Sequence, residues 1–279
     1  MNKKEVKEKM KQLKSKKKEN TLVIRLEKDA SEIKSIKKAN KSPKGQRQIQ
    51  NSAGNIMDVK NINKFYVSGK NSYHILKDVS LDIKKGEFVV IVGPSGSGKT
   101  TLLNIISGLD RATDGNVICK NINLSALKNS ELTTFRRNHV GFVFQSYNLL
   151  SELNAEDNAQ MGRQLQTSNN RRMNISELFT KVGIGGLEKK TIGELSGGQM
   201  QRVSIVRALS KNPDIIFADE PTGALDSKSS EMVLDLFKEI NKKYKTTIVL
   251  VTHDMNVTKL ADRVIEVNDG KVKIQTRSR

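Results

Sequence analysis

Residues 88–108 read FVVIVGPSGSGKTTLLNIISG, five apolar residues running straight into a glycine-rich loop and then a helix-like stretch. This segment constrains the fold more than any other. A strand with no polar position has no face to offer water, so it must be covered on both sides. HVGFVF (139–144), DIIFA (214–218) and TIVLV (247–251) give three more short apolar strands, separated by helical stretches at 198–211 and 227–243. Buried strands alternating with helices predict an α/β fold built on a parallel sheet with right-handed crossovers.

Around that core, IMDVKNINKFYV and HILKDVSLDI alternate apolar and polar residues, as antiparallel strands with one wet face do. Residues 150–195 are polar and helix-like, a short helix is expected near 256–262, and VIEVNDGKVKI ends in an Asn-Asp-Gly hairpin turn. The longest apolar runs fall far short of the ~20 residues that span a bilayer. With 36% hydrophobic residues and no basic-then-apolar leader, the chain reads as soluble and not secreted. Its one cysteine, Cys119, cannot form an internal disulfide, which agrees with a reducing compartment.

The formal charge of +19 is concentrated at one end, where residues 1–55 hold 17 Lys/Arg against 6 Asp/Glu. That extension is expected to be disordered or linker-like for want of apolar content. Val6, Met10 and Leu13 stand at helical spacing, and TLVIRL (21–26) could make a short strand or turn. Its charge fits a solvated tail, attraction to anionic lipid headgroups or attraction to nucleic-acid phosphates. No aromatic residue interrupts it, so the stacking signature of single-strand binders is absent.

Gly93-Pro94-Ser95-Gly96-Ser97-Gly98-Lys99-Thr100 matches G-x-x-x-x-G-K-[ST] between a strand and a helix, the context that a phosphate loop requires. The glycines let backbone N–H groups turn toward an anion, and the helix dipole adds positive potential. Lys99 can reach β- and γ-phosphates, and the Thr100 hydroxyl can ligate Mg²⁺. Asp219 and Glu220 emerge at the carboxyl end of a buried strand, where ligands of open α/β sheets bind. Asp219 suits the metal and its water shell, Glu220 the attacking water. His253 ends TIVLVTH on the same sheet edge, and Gln145 ends HVGFVFQ, where an amide could touch Mg²⁺ and water. Each of these two also has an ordinary structural explanation.

LSGGQMQR (195–202) raises a separate question. Ser196 and Gln199 fit a capping box that merely starts a helix. Gly197 and Gly198 cost helix stability and leave bare amides at a positive helix end, a second anion cradle.

Together these residues resemble the nucleotide-binding subunit of the ATP-binding cassette (ABC) transporter family, from about Ile56 to Ile274. GPSGSGKTT, ending at Thr101, resembles the Walker A loop, Gln145 the Q-loop, LSGGQ the signature and DIIFADE the Walker B strand. Gly223-Ala224-Leu225-Asp226 resembles the D-loop and His253 the switch histidine. Tyr66 falls where the family stacks an aromatic on adenine, with neighbouring Phe65 a weaker candidate. The resemblance implies a P-loop NTPase core with a mainly parallel sheet, an N-terminal antiparallel β subdomain and a helical subdomain inserted at about 146–210. Residues 56–279 would form the ATP-binding domain and residues 1–55 a basic extension. It also implies ATP and Mg²⁺ as ligands, with Lys99, Glu220 and His253 as catalytic residues. A second cassette, identical or paralogous, would offer Ser196, Gly197, Gly198, Gln199 and Asp226 across the ATP site.

ADEPTGALDSKSSE and NLLSELNAEDN are most similar to the branch serving lipoprotein release and macrolide or antimicrobial-peptide export. Its ATPases lie on the cytoplasmic face of the membrane and drive separately encoded transmembrane permease subunits. The bacterial cell-division ATPase is similar too, so a transporter-like mechanotransmission complex is equally implied. The alternative is a soluble cassette acting on nucleic acid or ribosomes. Such proteins carry long insertions or paired cassettes, and this chain has one cassette without them, so nucleic acid is disfavoured.

Overall fold

The computed structural model describes residues 25–27, 30–167 and 172–276. It begins with a short strand, β1 (Arg25–Glu27), and a helix, α1 (Ala30–Ala39). Two long strands follow, β2 (Asn55–Ser68) and β3 (Asn71–Lys84), then the buried β4 (Phe88–Val92) and helix α2 (Lys99–Ile106). β5 (Asp114–Cys119), β6 (Ile122–Asn123), α3 (Asn129–His139) and β7 (Val140–Phe144) lead to α4 (Ala155–Leu165), α5 (Ile175–Lys181) and α6 (Gly197–Leu209). β8 (Ile215–Asp219), α7 (Ser227–Tyr244), β9 (Thr247–Val251) and the hairpin β10 (Arg263–Asn268) and β11 (Lys271–Thr276) complete it.

The six-stranded sheet runs β11-β10-β4-β9-β8-β7, parallel throughout except for the β10–β11 hairpin. Strand β4 feeds two cores by simple alternation. Phe88, Val90 and Val92 join Phe179, Val203 and Phe237 on one side. Val89 and Ile91 join Leu102, Leu103, Met57 and Ile83 on the other. Covering both faces is what an all-apolar strand demands. The second sheet, β1-β3-β2-β5-β6, is antiparallel. Strand β3 alternates as expected, burying Val79, Leu81 and Ile83 and exposing Ser80 and Lys84, whereas β2 buries Ile56 to Val59 in succession.

Three differences from the sequence expectation have physical causes. The disordered extension does not hold for residues 30–50. Helix α1 buries Ile33 and Ile36, three residues apart, while Arg47 and Ile49 hydrogen-bond to the backbone of Asn123 and Asn121 beside β6. Burying two isoleucines is worth about 3–6 kcal/mol, enough to hold one short helix against a sheet. Overall polarity hides a stripe that narrow. Residues 109–138, given no elements by periodicity, hold β5, β6 and α3. Near 256–262 the chain makes a 3₁₀ turn, Met255–Leu260. The helical spacing of Val6, Met10 and Leu13 lies outside the described residues, as does all of TLVIRL but Arg25 and Leu26.

Candidate active site

The carboxyl ends of the parallel strands open onto a cleft of about 620 Å³, lined by Tyr66, Ile75, Ser95, Gly96, Gly98, Lys99, Thr100, Thr101, Glu220 and His253. The glycine loop between β4 and α2 forms its floor. Gly93 cannot be replaced there, since a Cβ would lie 2.0 Å from the Val267 carbonyl oxygen. Gly98 caps α2 at φ 106°, so the helix starts without a side-chain cap and its first amides are free to meet an anion. Ser97 Oγ is buried without a hydrogen-bond partner among the described residues. Lys99 Nζ donates to the carbonyls of Gly93 and Pro94 at 2.9 and 2.8 Å. An ammonium held by two neutral carbonyls remains available to phosphate oxygens, which bind it more strongly.

Thr100 Oγ1 donates to Asp219 Oδ1 at 3.4 Å. Burial pushes the Asp219 carboxyl above its ordinary pKa, aided by the charge of Glu220 and opposed by the Thr100 hydroxyl and Lys99. A divalent cation would relieve that desolvation. Hydroxyl and carboxylate oxygens are the hard donors that Mg²⁺ prefers. Among the described residues no group of three or more His, Cys, Asp or Glu side chains could hold a metal alone. The fit is therefore to an ion that takes most of its ligands from phosphate and water.

Glu220 follows β8 in a left-handed conformation, φ 45°, its amide donating to the Val251 carbonyl at 2.9 Å. Its Oε2 lies 3.1 Å from His253 Nδ1. A left-handed glutamate is an unusual backbone state, of the kind that clusters at functional sites.

Not every expected residue reaches the cleft. Gln145 stands against Gly223, which Glu220 also approaches, and is not among the lining residues. Ser196 to Gln199 form the reciprocal capping box of α6, with Ser196 exposed. Asp226 caps α7 through Ser229, and the Ser229 hydroxyl packs against Gly198. Gly198 and Ser229 are thus neighbours, and neither the 196–199 segment nor Asp226 lines the cleft.

Two supporting networks carry no signal in the sequence. Tyr66 donates its hydroxyl to Asp110 at 2.8 Å, and Asp110 pairs with the buried Lys64 ammonium at 2.9 Å. Lys64 Nζ also lies 4.7 Å from the centre of the Tyr66 ring. Burial, then the Asp110 contact, push the Tyr66 phenol up to about 12, so it stays a neutral donor. In the second network, the Arg207 guanidinium on α6 donates to the carbonyls of Tyr147 and Asn148. Both residues are left-handed, at φ 59° and 51°, just after Gln145.

These features define a nucleotide-binding P-loop domain. The family model described as "ABC transporter" matches residues 76–223, and the chain belongs to that family. A putative ABC transporter ATP-binding protein of Mycoplasma genitalium, MG065, is 47% identical over 243 residues, 87% of this chain and 52% of the relative. The macrolide export ATP-binding/permease protein MacB of Mannheimia succiniciproducens is 44% identical over 78% of this chain and 34% of its own length. The chain thus spans about half the length of the Mycoplasma relative and about a third of the Mannheimia one. Among solved structures, the ATP-binding cassette MJ0796, a Methanocaldococcus jannaschii protein captured as a post-hydrolysis dimer with ADP and Pi, superposes with TM-score 0.73. It is 42% identical over 80% of this chain and all of that one.

Proposed function

We propose that this chain binds ATP with Mg²⁺ in the cleft, hydrolyses it, and works as one of a pair of cassettes driving transmembrane permease subunits on separate chains. The second cassette is another copy or a paralogue. The observation that carries this reading is the separation of two anion cradles within one chain. Lys99 and Thr100 line the cleft, whereas Ser196, Gly197 and Gly198 open a different helix outside it. A partner's signature closing over the cleft would give the exposed cradle its anion.

Tyr66 stacks on the adenine, its ring set by Asp110. Lys99 and the amides that open α2 hold the β- and γ-phosphates. Thr100 and Asp219, with Gln145 turning in, would hold Mg²⁺, which when bound would neutralise phosphate charge. Glu220 accepts the proton of the attacking water, and His253 orients the γ-phosphate side of the cleft.

The permease partner has support in a separate groove of about 310 Å³ lined by Phe142, Phe144, Met161, Leu165, Arg207 and Lys211. Met161 and Leu165 are exposed apolar residues there, a surface that suits an apolar segment of another protein. No helix among the described residues is long and apolar enough to cross a membrane. We place the cassette on the cytoplasmic face, with anionic lipid contacting the basic extension. Mixing Lys99→Ala with Ser196→Ala chains tests the shared site, because one of the two composite sites is then intact. ATPase activity should reappear in the mixture. A mixture as inactive as either parent refutes the paired arrangement.

A further inference from the structure

We infer that the N-terminal helix α1, acting through Asn40, positions the adenine platform, so that a segment outside the phosphate site sets how tightly the base is held. This rests on the proposed stacking of adenine on Tyr66.

The argument starts from the backbone of Phe65, the residue before Tyr66. Pairing of β2 with β5 ends at Asn63–Asp114, so beyond that point β2 has lost its neighbour strand on this side. The β2–β3 register is itself irregular between Ile62 and Phe65. A strand end with polar groups beyond its ladder must find other partners or waver. Two side chains take the place of the missing strand. The Phe65 amide donates to Thr113 Oγ1 at 2.9 Å, and Asn40 Nδ2 donates to the Phe65 carbonyl at 2.8 Å. Thr113 Oγ1 donates in turn to Asn40 Oδ1, closing a ring around both polar groups of one residue.

Asn40 is held from behind. Its amide donates to the Ile36 carbonyl at 2.9 Å as α1 ends, and Ile33 and Ile36 are buried beneath the helix. Lys44, four residues on, donates to the Thr113 carbonyl and pairs with Asp114 at 3.9 Å. On the far edge, β1 pairs with β3 in a register that sets Arg25 opposite Tyr73, and Tyr73 opposite Tyr66. The extension therefore grips the hairpin bearing Tyr66 from two sides. Tyr66 remains 40% exposed, so its ring direction depends on this backbone and on Asp110.

Binding of MgATP and of inorganic tripolyphosphate to the full chain, followed by titration calorimetry, separates base contacts from phosphate contacts. Asn40→Ala should weaken ATP about three- to tenfold, the span of one lost hydrogen bond, and leave tripolyphosphate unchanged. In steady state KM for ATP should rise with kcat retained. Asn40→Ala added to Tyr66→Ala should cost nothing further. Thr113→Val, close in shape, should repeat the Asn40→Ala pattern and guards against a misfolded variant. Equal weakening of both ligands, additivity with Tyr66→Ala, or unchanged ATP affinity in both Asn40→Ala and Thr113→Val would overturn the inference. If Tyr66→Ala alone leaves ATP affinity intact, the stacking assignment falls and the inference with it.

Discussion

His253 Nδ1 lies 3.1 Å from Glu220 Oε2, joining the ends of two strands that neighbour each other in the parallel sheet. The contact fixes the direction of a carboxylate whose backbone is already constrained at φ 45°. Glu220→Gln keeps the shape and removes the proposed base. Phosphate release should fall by at least about a hundredfold while ATP binding persists. Size-exclusion chromatography should then detect an ATP-dependent dimer. Turnover at the parent rate would remove Glu220 from the role.

Asp110 should make the β2–β3 hairpin sensitive to acid. Burial raises its carboxyl, but the Lys64 ammonium, the Arg111 amide and the Tyr66 hydroxyl outweigh it, leaving the pKa below the ordinary value. A carboxylate depressed in the folded state stabilises the fold above its unfolded pKa and loses that contribution as pH falls through the folded one. Urea midpoints of the parent should therefore drop below about pH 4. Asp110→Asn should be less stable at pH 7 and show a flatter acid limb. Parallel curves for the two proteins would contradict the assignment.

Gly162 packs α4 directly against the backbone of α6. A Cβ there would lie 2.1 Å from the Arg207 carbonyl oxygen, which belongs to the helix that Ser196 caps. Gly162→Ala must push the two helices apart, at a cost of at least about 2 kcal/mol. For a chain of this size that is a melting point lower by roughly 4–8 °C in calorimetry. An unchanged melting point would mean that the helices are less tightly packed than this distance requires.

Lys34, Lys37, Lys38 and Lys41 are all exposed on or just after α1, at spacings that form one stripe. Each basic side chain near an anionic surface is worth about 1 kcal/mol at low salt. Changing all four to Gln should reduce retention on phosphatidylserine vesicles at least about tenfold in a sedimentation assay. Neutral vesicles should show no difference. Equal retention of the two proteins on anionic vesicles would eliminate lipid contact by α1.

Much of the site was legible because its signals are local. The strand, glycine loop and helix of residues 88–108 specify one another within a few bonds. Asp219-Glu220 and His253 were readable as strand ends for the same reason. The capping box of Ser196 and Gln199 was also written in four residues, and the structure forms it. Gln145 illustrates the limit. Its place at the end of a strand was plain, yet its amide lies against Gly223, a neighbour that spacing along the chain does not reveal.

Periodicity and glycine placement in the sequence determined the parallel core, the phosphate loop and the acidic strand end, since each depends on residues within a turn or a strand of one another. Only tertiary packing decided that Lys64 and Asp110 aim Tyr66, that Arg207 holds the bend after Gln145, and that Asn40 braces Phe65. Those contacts join residues 25 to 60 positions apart. Their energy comes from burial and hydrogen bonds made after the chain has folded back on itself, and a sequence pattern records no distance of that kind.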